Sequence, residues 1–150
     1  MFVVKRYLKQ ALLTVAMVVV MAGAIDARPA LAGVEARIDL SEQTMNVYVN
    51  GFYYARWKVS TARRGYRTPT GTYTAKWLAR MHYSKKYHHS PMPNSIFFYG
   101  GYAIHGTYAT RWLGRPASHG CVRLHPKHAA KLFSLVKEYG LKNTVITITR

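Results

Sequence analysis

The 150-residue sequence is strongly basic, with 22 lysines and arginines against 5 aspartates and glutamates and a formal charge of +17. No carboxylate side chain occurs between Gln43 and Lys137, a span of 95 residues. Paired-carboxylate glycosidases, aspartic proteases and two-metal phosphoryl-transfer enzymes all need aspartate or glutamate at the reacting atoms, so these classes are excluded for a site built within that span. The 49% hydrophobic content is that of one globular domain rather than of a disordered chain.

The N-terminal segment has the features of an export signal. Basic residues precede Gln10–Ile25, an uncharged and mostly apolar run of 16 residues, and Ala30-Leu31-Ala32 matches a signal-peptidase cleavage pattern. A membrane-spanning helix needs about 20 apolar residues, so the sequence favours a cleaved signal over residues 1–32, with an uncleaved anchor as the alternative. Cleavage leaves one domain, residues 33–150, of 118 residues and charge +14. We expect an exported, periplasmic or cell-envelope protein with no stable membrane insertion after cleavage.

The first half of this domain has the alternation of apolar and polar residues that is typical of β-strands. Four strands are predicted here: Val34–Leu40, Met45–Val49, Phe52–Ser60 and Thr72–Leu78. The dipeptide Asn50-Gly51 predicts a tight hairpin, because both residues tolerate the positive φ that such a turn requires. Proline and glycine chemistry predicts a further turn at Thr68-Pro69-Thr70-Gly71.

The second half begins with residues 79–95, which are rich in histidine, lysine, tyrosine and proline and predict a long irregular loop of the lid or binding type. Its histidines are interpreted as surface groups: His82, His88 and His89. Further strands are predicted at Ile96–Tyr99, Tyr102–His105 and Val145–Thr149. A helix is predicted from Pro126 to Gly140 by apolar residues at helical spacing. The fold class is therefore mainly β, sandwich-like or barrel-like, with about seven strands and one or two helices.

The single cysteine lies among groups that can activate it. His119 and Arg123 are two residues to either side of Cys121, so in an extended chain they project to the same side. Cations and imidazoles lower the pKa of a thiol, and only the thiolate is a strong nucleophile. Gly120 permits a tight turn and the close approach of a substrate. Because His105 ends a predicted strand elsewhere in the chain, the sequence predicts an activated cysteine–histidine pair.

A histidine that acts as a base needs a third group to orient its ring. The positions of the acidic residues in the sequence indicate which kind of group this can be. No carboxylate is near His105 in sequence. The predicted orienting acceptor is therefore a backbone carbonyl, with Gly106 the near candidate, or a side-chain amide such as Asn94. Asp39 and Glu138 can serve only if the fold brings them to the site.

Two segments together resemble the signature of a known family. They are His105-Gly106-Thr107 and Ser118-His119-Gly120-Cys121-Val122-Arg123-Leu124. In this spacing they resemble the L,D-transpeptidase catalytic domain family (YkuD-type). Supporting segments occur in the same order: the hairpin with Asn50-Gly51, Thr68-Pro69-Thr70-Gly71, Met92-Pro93 and Tyr102-Ala103-Ile104-His105. The resemblance covers nearly all of residues 34–149 and implies a β-rich transpeptidase-like domain.

The resemblance implies a cysteine acyltransferase that acts on peptidoglycan stem peptides without a metal or cofactor. Cys121 would attack the carbonyl that joins the L-centre of diaminopimelate to the D-alanine at position four. D-Alanine would leave, and an amine would resolve the thioester, either forming a 3→3 cross-link or attaching a protein such as a lipoprotein. His105 would serve as the general base.

The resemblance also implies roles for the residues around this pair. Backbone N–H groups of Gly120 and Cys121 are candidates for the oxyanion hole. The site-shaping set is His119, Gly120, Ser118 and Gly106. The predicted substrate-binding set is Arg123, Tyr108, Trp112 and Met92, in which Tyr108 and Trp112 are chosen because they lie between His105 and Ser118 in the sequence. Position 106 is glycine where some relatives carry serine, and the interval from His105 to Ser118 is short for the family.

Several alternatives stay open or are weakened by the sequence. An L,D-carboxypeptidase would form the same acyl-enzyme and pass it to water, which the sequence does not distinguish from transfer. A zinc site among His119, Cys121, His125 and His128 is disfavoured, since His119-x-Cys121 is too tight for a usual ligand pair and His125 is interpreted as a helix cap. The basic charge also fits an exported protein that binds anionic polymers. Nucleic acid is not an expected partner, because an export signal precedes the domain and no recognition motif is present.

Overall fold

The structure of the protein is a computed structural model that describes residues 32–150. The predicted export signal lies outside these residues except for its last position, so it stays a prediction. Within the described part, no helix is long and apolar enough to cross a membrane.

Nine strands form one sheet, with a single α-helix beside it in the described residues. The strands are β1 Val34–Asp39, β2 Thr44–Val49, β3 Phe52–Ser60, β4 Gly71–Thr74, β5 Trp77–Tyr83, β6 Pro91–Tyr99, β7 Tyr102–Gly106, β8 Val122–Leu124 and β9 Thr144–Thr149. The helix α1 is Pro126–Tyr139, and short 3₁₀ turns lie at Thr110–Trp112 and Leu141–Asn143. The strand order is β4-β9-β1-β2-β3-β8-β7-β6-β5, and neighbours are antiparallel except in the pairs β1–β9 and β7–β8. The prediction of a mainly β fold is confirmed.

The sheet curls because its two edge strands follow one another in the chain. β4 and β5 lie at opposite ends of the strand order and are joined by Ala75 and Lys76 alone. The Ala75 N–H donates to the carbonyl of Thr144, the first residue of β9, whereas the Lys76 N–H donates to the carbonyl of Phe97 in β6. The two edges therefore meet at these residues. The prediction of one continuous strand over Thr72–Leu78 is wrong, because the chain changes pairing partner in the middle of that segment.

The prediction of a long irregular loop over residues 79–95 is also wrong. β5 and β6 form an antiparallel hairpin, and only residues 84–90 make its turn. Two prolines, Pro91 and Pro93, lie within β6. Proline cannot donate a backbone hydrogen bond, so its presence in a sequence argues against a strand. The strand tolerates them because β7 pairs with β6 only from Ile96 onward, so the first half of β6 has one neighbour in the sheet.

The hairpin turn and the helix follow their sequence signals. Asn50 and Gly51 both have positive φ, 52° and 80°, as a tight turn between β2 and β3 requires. α1 ends at Tyr139, and the residue after it is the predicted C-cap Gly140, whose φ is 91°. Its N-cap is His125, which accepts a hydrogen bond from the Lys127 N–H, so the interpretation of this histidine as a cap is confirmed.

The main core lies between the curled sheet and α1. The helix packs against β6 and β7 and buries one face; its buried residues are Ala129, Leu132, Phe133, Leu135 and Val136. A second, smaller cluster consists of Met92, Phe97 and Ala103, with Cys121 packed against it. Ala103 and His105 are two residues apart in β7, so this small cluster lies on the side of the sheet that carries the reactive side chains.

Candidate active site

The reactive side chains share one face of two neighbouring parallel strands. β7 and β8 are paired so that His105 lies opposite Arg123. Cys121 directly precedes β8 and is two residues from Arg123, so both belong to the same face. Ile104 and Val122 alternate with these residues and join the main core. The pairing therefore makes the thiol and the imidazole diagonal neighbours on the face that points away from the main core.

This face forms the floor of a cavity of about 750 Å³. The predicted site residues that line the cavity are Met92, His105, Tyr108, Ser118, His119, Cys121 and Arg123. The β5–β6 hairpin supplies much of the opposite wall, through Trp77, His82, Tyr87 and Phe97 among others. The structure thus brings together His105 and Cys121, which the sequence predicts as base and nucleophile from separate segments.

His105 is held as a neutral imidazole. Its side chain is 5% exposed, and burial lowers its pKa from 6.5 to about 4. Nδ1 lies 2.7 Å from the carbonyl oxygen of Gly106, which can only accept a hydrogen bond. Nδ1 therefore carries the proton and donates it to Gly106, and Nε2 is left able to accept a proton. Asn94 and Glu138 instead line a separate cavity beside α1.

Cys121 is a thiol rather than a thiolate in the free protein. Burial raises its pKa and outweighs the Ala103 N–H and the Arg123 guanidinium, which both lower it. The sulfur lies 3.9 Å from the carbonyl oxygen of Gly101, to which the S–H donates weakly. The prediction that neighbouring cations depress the pKa of this thiol is wrong in its net direction, because desolvation of the charged form costs more than those cations recover.

The segment before Cys121 is held by side-chain hydrogen bonds. The Ser118 hydroxyl donates to the carbonyl of Cys121 at 2.7 Å and accepts from the Gly120 N–H at 3.0 Å. The Gly120 N–H is therefore bonded to Ser118 in the free protein, and the oxyanion roles of the Gly120 and Cys121 N–H groups stay predictions. The hydroxyl of Thr68 donates to the Gly120 carbonyl at 2.8 Å, so the Thr-Pro segment supports this loop.

Gly120 has to be glycine for steric reasons. Its φ is +132°, which side chains rarely adopt. A Cβ at this position would lie 2.6 Å from the ring of Tyr102 and 2.8 Å from the Arg67 carbonyl oxygen. These contacts fix the path of the chain into Cys121.

His119 is fixed by three side chains from two other segments. The Arg63 guanidinium lies 2.8 Å from Nε2 and, as it can only donate, Nε2 accepts. Tyr87 of the hairpin turn stacks on the imidazole at 4.1 Å and 10°, and Tyr66 meets it edge-on at 4.6 Å. Desolvation and the charges of Arg63 and Arg123 lower the pKa of His119. His119 therefore has its proton on Nδ1 and acts as a neutral wall of the cavity.

Substituting Arg63 by methionine should raise the pKa of His119, because the change removes both a donor to Nε2 and a nearby positive charge. An NMR titration of the histidine ¹⁵N and ¹³C signals measures this pKa directly. Arg64→Met is the matched control, since Arg64 is the exposed neighbour. An unchanged or lowered His119 pKa in Arg63→Met would show that the hydrogen bond does not form in solution.

The predicted substrate-binding residues divide into those that reach the cavity and one that does not. Arg123 lines the cavity, and no carboxylate among residues 32–150 forms a salt bridge with it. Tyr108 and Met92 line it as predicted. Trp112 does not, which corrects the prediction: it lies on the 3₁₀ turn at the surface, with the guanidinium groups of Arg111 and Arg115 5.4 and 5.5 Å from its ring.

Sequence reasoning missed several cavity residues of the β5–β6 hairpin. Trp77, His82 and Tyr87 line the cavity, although His82 was interpreted as a surface group. The prediction of an irregular loop over residues 79–95 concealed His82 and Tyr87, and the prediction of one strand over Thr72–Leu78 concealed that Trp77 begins β5. Within residues 32–150 no three histidine, cysteine, aspartate or glutamate side chains converge as metal ligands.

Comparison with known proteins agrees with this arrangement. The family model described as the L,D-transpeptidase catalytic domain (YkuD) matches residues 34–148. No match to a curated protein sequence reaches significance.

Solved structures of L,D-transpeptidases share the fold. The enzyme from Stackebrandtia nassauensis has a TM-score of 0.70 and 26% identity, covering 91% of this chain and 64% of its own. That from Mycobacterium smegmatis has a TM-score of 0.71 and 20% identity, covering 79% and 59%. L,D-Transpeptidase 3 from Mycobacterium tuberculosis, solved with a faropenem-derived adduct, has a TM-score of 0.66 and 18% identity. This match covers 79% of the present chain and 60% of that structure. The chain thus spans about three fifths of the length of these structures. By its match over residues 34–148, the chain belongs to the YkuD family of L,D-transpeptidase catalytic domains.

Proposed function

We propose that this protein is an L,D-transpeptidase that acylates Cys121 with a peptidoglycan stem peptide, releases D-alanine and passes the acyl group to an amine. The observation that carries the proposal is the shared cavity in which buried, neutral His105 and Cys121 project from one face of β7 and β8. The family match makes stem peptides the expected substrate class.

The geometry supports a proton path for the acylation step. As the Cys121 sulfur attacks the carbonyl carbon, its proton moves to Nε2 of His105, since Nδ1 is already bonded to Gly106. Both partners begin uncharged, so burial does not oppose the resting state but only the ion pair formed during attack. The Cys121 N–H is the candidate donor to the tetrahedral oxyanion.

Collapse of the tetrahedral intermediate breaks the bond to D-alanine, and the imidazolium of His105 returns its proton to the leaving amine. A thioester on Cys121 remains. The acceptor amine then attacks the thioester carbonyl while His105 removes a proton from it, and the sulfur leaves and is reprotonated. The same base thus serves both half-reactions without a carboxylate partner.

The charge of the cavity supports an anionic substrate. Lys85, Lys86 and Arg123 line it, and no aspartate or glutamate does. Stem peptides carry free carboxylates, and Arg123 has a guanidinium available to form a bidentate pair with one of them. The proposed location is the periplasm or cell envelope, reached through the predicted export signal.

The reaction is tested by incubating the domain of residues 33–150 with defined disaccharide-tetrapeptides and identifying products by mass spectrometry. Transfer gives cross-linked dimers with loss of one D-alanine, and adding a lysine-bearing lipoprotein peptide tests that acceptor. Trimmed tripeptide monomers alone would identify the protein as an L,D-carboxypeptidase instead. If every muropeptide is recovered unchanged under conditions in which the protein is folded, the proposal is wrong.

A further inference from the structure

The wall of the cavity contains an aromatic platform that the acyl-transfer steps do not use. Trp77, at the start of β5, stacks flat on Phe97 with ring centroids 3.6 Å apart and 4° between the ring planes. Phe97 is 3% exposed and covers one face of the indole, while Trp77 itself is 44% exposed. The side chain of His82 meets both rings edge-on. The indole is thus held rigidly with its other face accessible.

The platform lies close to the nucleophile. Phe97 packs with Met92 and Ala103 in the small cluster against which Cys121 also packs. Trp77, Phe97 and Cys121 all line the same cavity. A ligand bound on the indole would therefore lie next to the acylation site and not on a separate surface.

The surroundings of the indole restrict what it can bind. An aromatic face attracts either a cation or a flat apolar surface. A cation is disfavoured, because Lys85, Lys86 and Arg123 line this cavity without a single carboxylate. Ser84 and Ser90 also line this cavity. The Ser84 hydroxyl accepts from the Tyr87 N–H and keeps its own proton to donate, whereas the Ser90 hydroxyl donates to the Tyr87 carbonyl and keeps its oxygen to accept. The cavity wall therefore fits a neutral ligand with an apolar face and a rim of hydroxyl groups.

A sugar ring has this chemistry, since its C–H groups form an apolar face and its hydroxyls and amide lie at the rim. In the substrate of the proposed function the stem peptide carries small or charged side chains, and the rings belong to the glycan. We propose that Trp77 binds a sugar ring of the glycopeptide and that the protein prefers muropeptides to free stem peptides. This inference rests on the proposed function for its substrate and on Trp77 for its site.

The test compares two donors, a disaccharide-tetrapeptide and the same tetrapeptide without sugar, by kcat/KM. The wild type should prefer the glycosylated donor about tenfold, the magnitude of one good aromatic contact. Trp77→Ala should lose that preference, because its kcat/KM should fall about tenfold further with the glycosylated donor than with the free tetrapeptide, and Trp77→Phe should keep part of the preference. Trp112→Ala is the matched control, since that indole is exposed to a similar degree, 38%, and lies outside the cavity.

A second readout does not depend on turnover. Titrating the free disaccharide should shift the indole N–H signal of Trp77 in the NMR spectrum and leave that of Trp112 in place. This shift tests the platform even if no muropeptide is processed, so failure of the inference is distinguishable from failure of the proposed function. Three results would each overturn the inference. They are an equal fall in kcat/KM for both donors in Trp77→Ala, the absence of any preference for the glycosylated donor in the wild type, and a Trp77 indole signal that the disaccharide does not shift.

Discussion

Replacing Cys121 by alanine is expected to reduce acyl transfer to the uncatalysed background, a loss on the order of 10⁴-fold or more, because no other residue can form the thioester. The described part of the chain has no second cysteine, and Cys121 lies on the cavity floor. The measurement is the release of D-alanine from a tetrapeptide donor under saturating substrate.

The control for Cys121→Ala is a thermal melt, which should stay close to that of the wild type, since the side chain is small and half-buried. Cys121→Ser should also be nearly inactive, because a hydroxyl in place of the thiol is a poorer nucleophile at the same position. Retention of a tenth of the wild-type rate by the alanine variant would show that the nucleophile is another group.

Replacing His105 by asparagine is expected to lower the acylation rate by about 10²–10⁴-fold, the range measured for loss of a general base. Asparagine is the informative substitution, because its amide N–H can still donate to the Gly106 carbonyl where Nδ1 does now, while nothing replaces Nε2. Since the pKa of His105 is about 4, the wild-type rate should stay independent of His105 protonation down to about pH 5 and fall below it.

The same pKa predicts how stability depends on pH. In the unfolded chain the imidazole titrates near 6.5, whereas in the folded protein it stays neutral until about pH 4. Between these values the unfolded state binds more protons, so stability is full above pH 6.5 and falls by about 3 kcal/mol as the pH drops to 4. Denaturant melts of the wild type and His105→Asn should differ in this slope, with the variant flatter. Equal slopes together with equal acylation rates would show that His105 is neither buried neutral nor the base.

Local signals predicted those parts of the fold in which neighbours in sequence determine the geometry. The Asn50-Gly51 turn and the end of α1 at Gly140 both depend on backbone freedom within a few residues, and both were predicted correctly. The acid-free span indicated that the base is held by a backbone group, and the 2.7 Å contact between Nδ1 and the Gly106 carbonyl has that form. Its role in orienting the base stays a proposal.

Long-range contacts decided the parts that sequence reasoning did not find. Residues 79–95 form a hairpin only because β6 continues into the sheet beyond its prolines, and polar composition conceals that continuation. Trp112 follows the base in sequence but lies on a turn that leaves the cavity, so proximity along the chain did not place it. The pKa of Cys121 depends on how deeply the fold buries it, which the flanking cations do not report.

The account is tested most directly by locating the acyl group on the protein. The domain is mixed with a tetrapeptide donor without an acceptor amine, quenched in acid within seconds, and analysed by intact mass and peptide mapping. The account predicts a mass increase equal to the donor acyl group after loss of D-alanine, confined to the peptide that contains Cys121 and absent from Cys121→Ala. D-Alanine release without any adduct in a time course that resolves the first turnover, or an adduct on another residue, would contradict it.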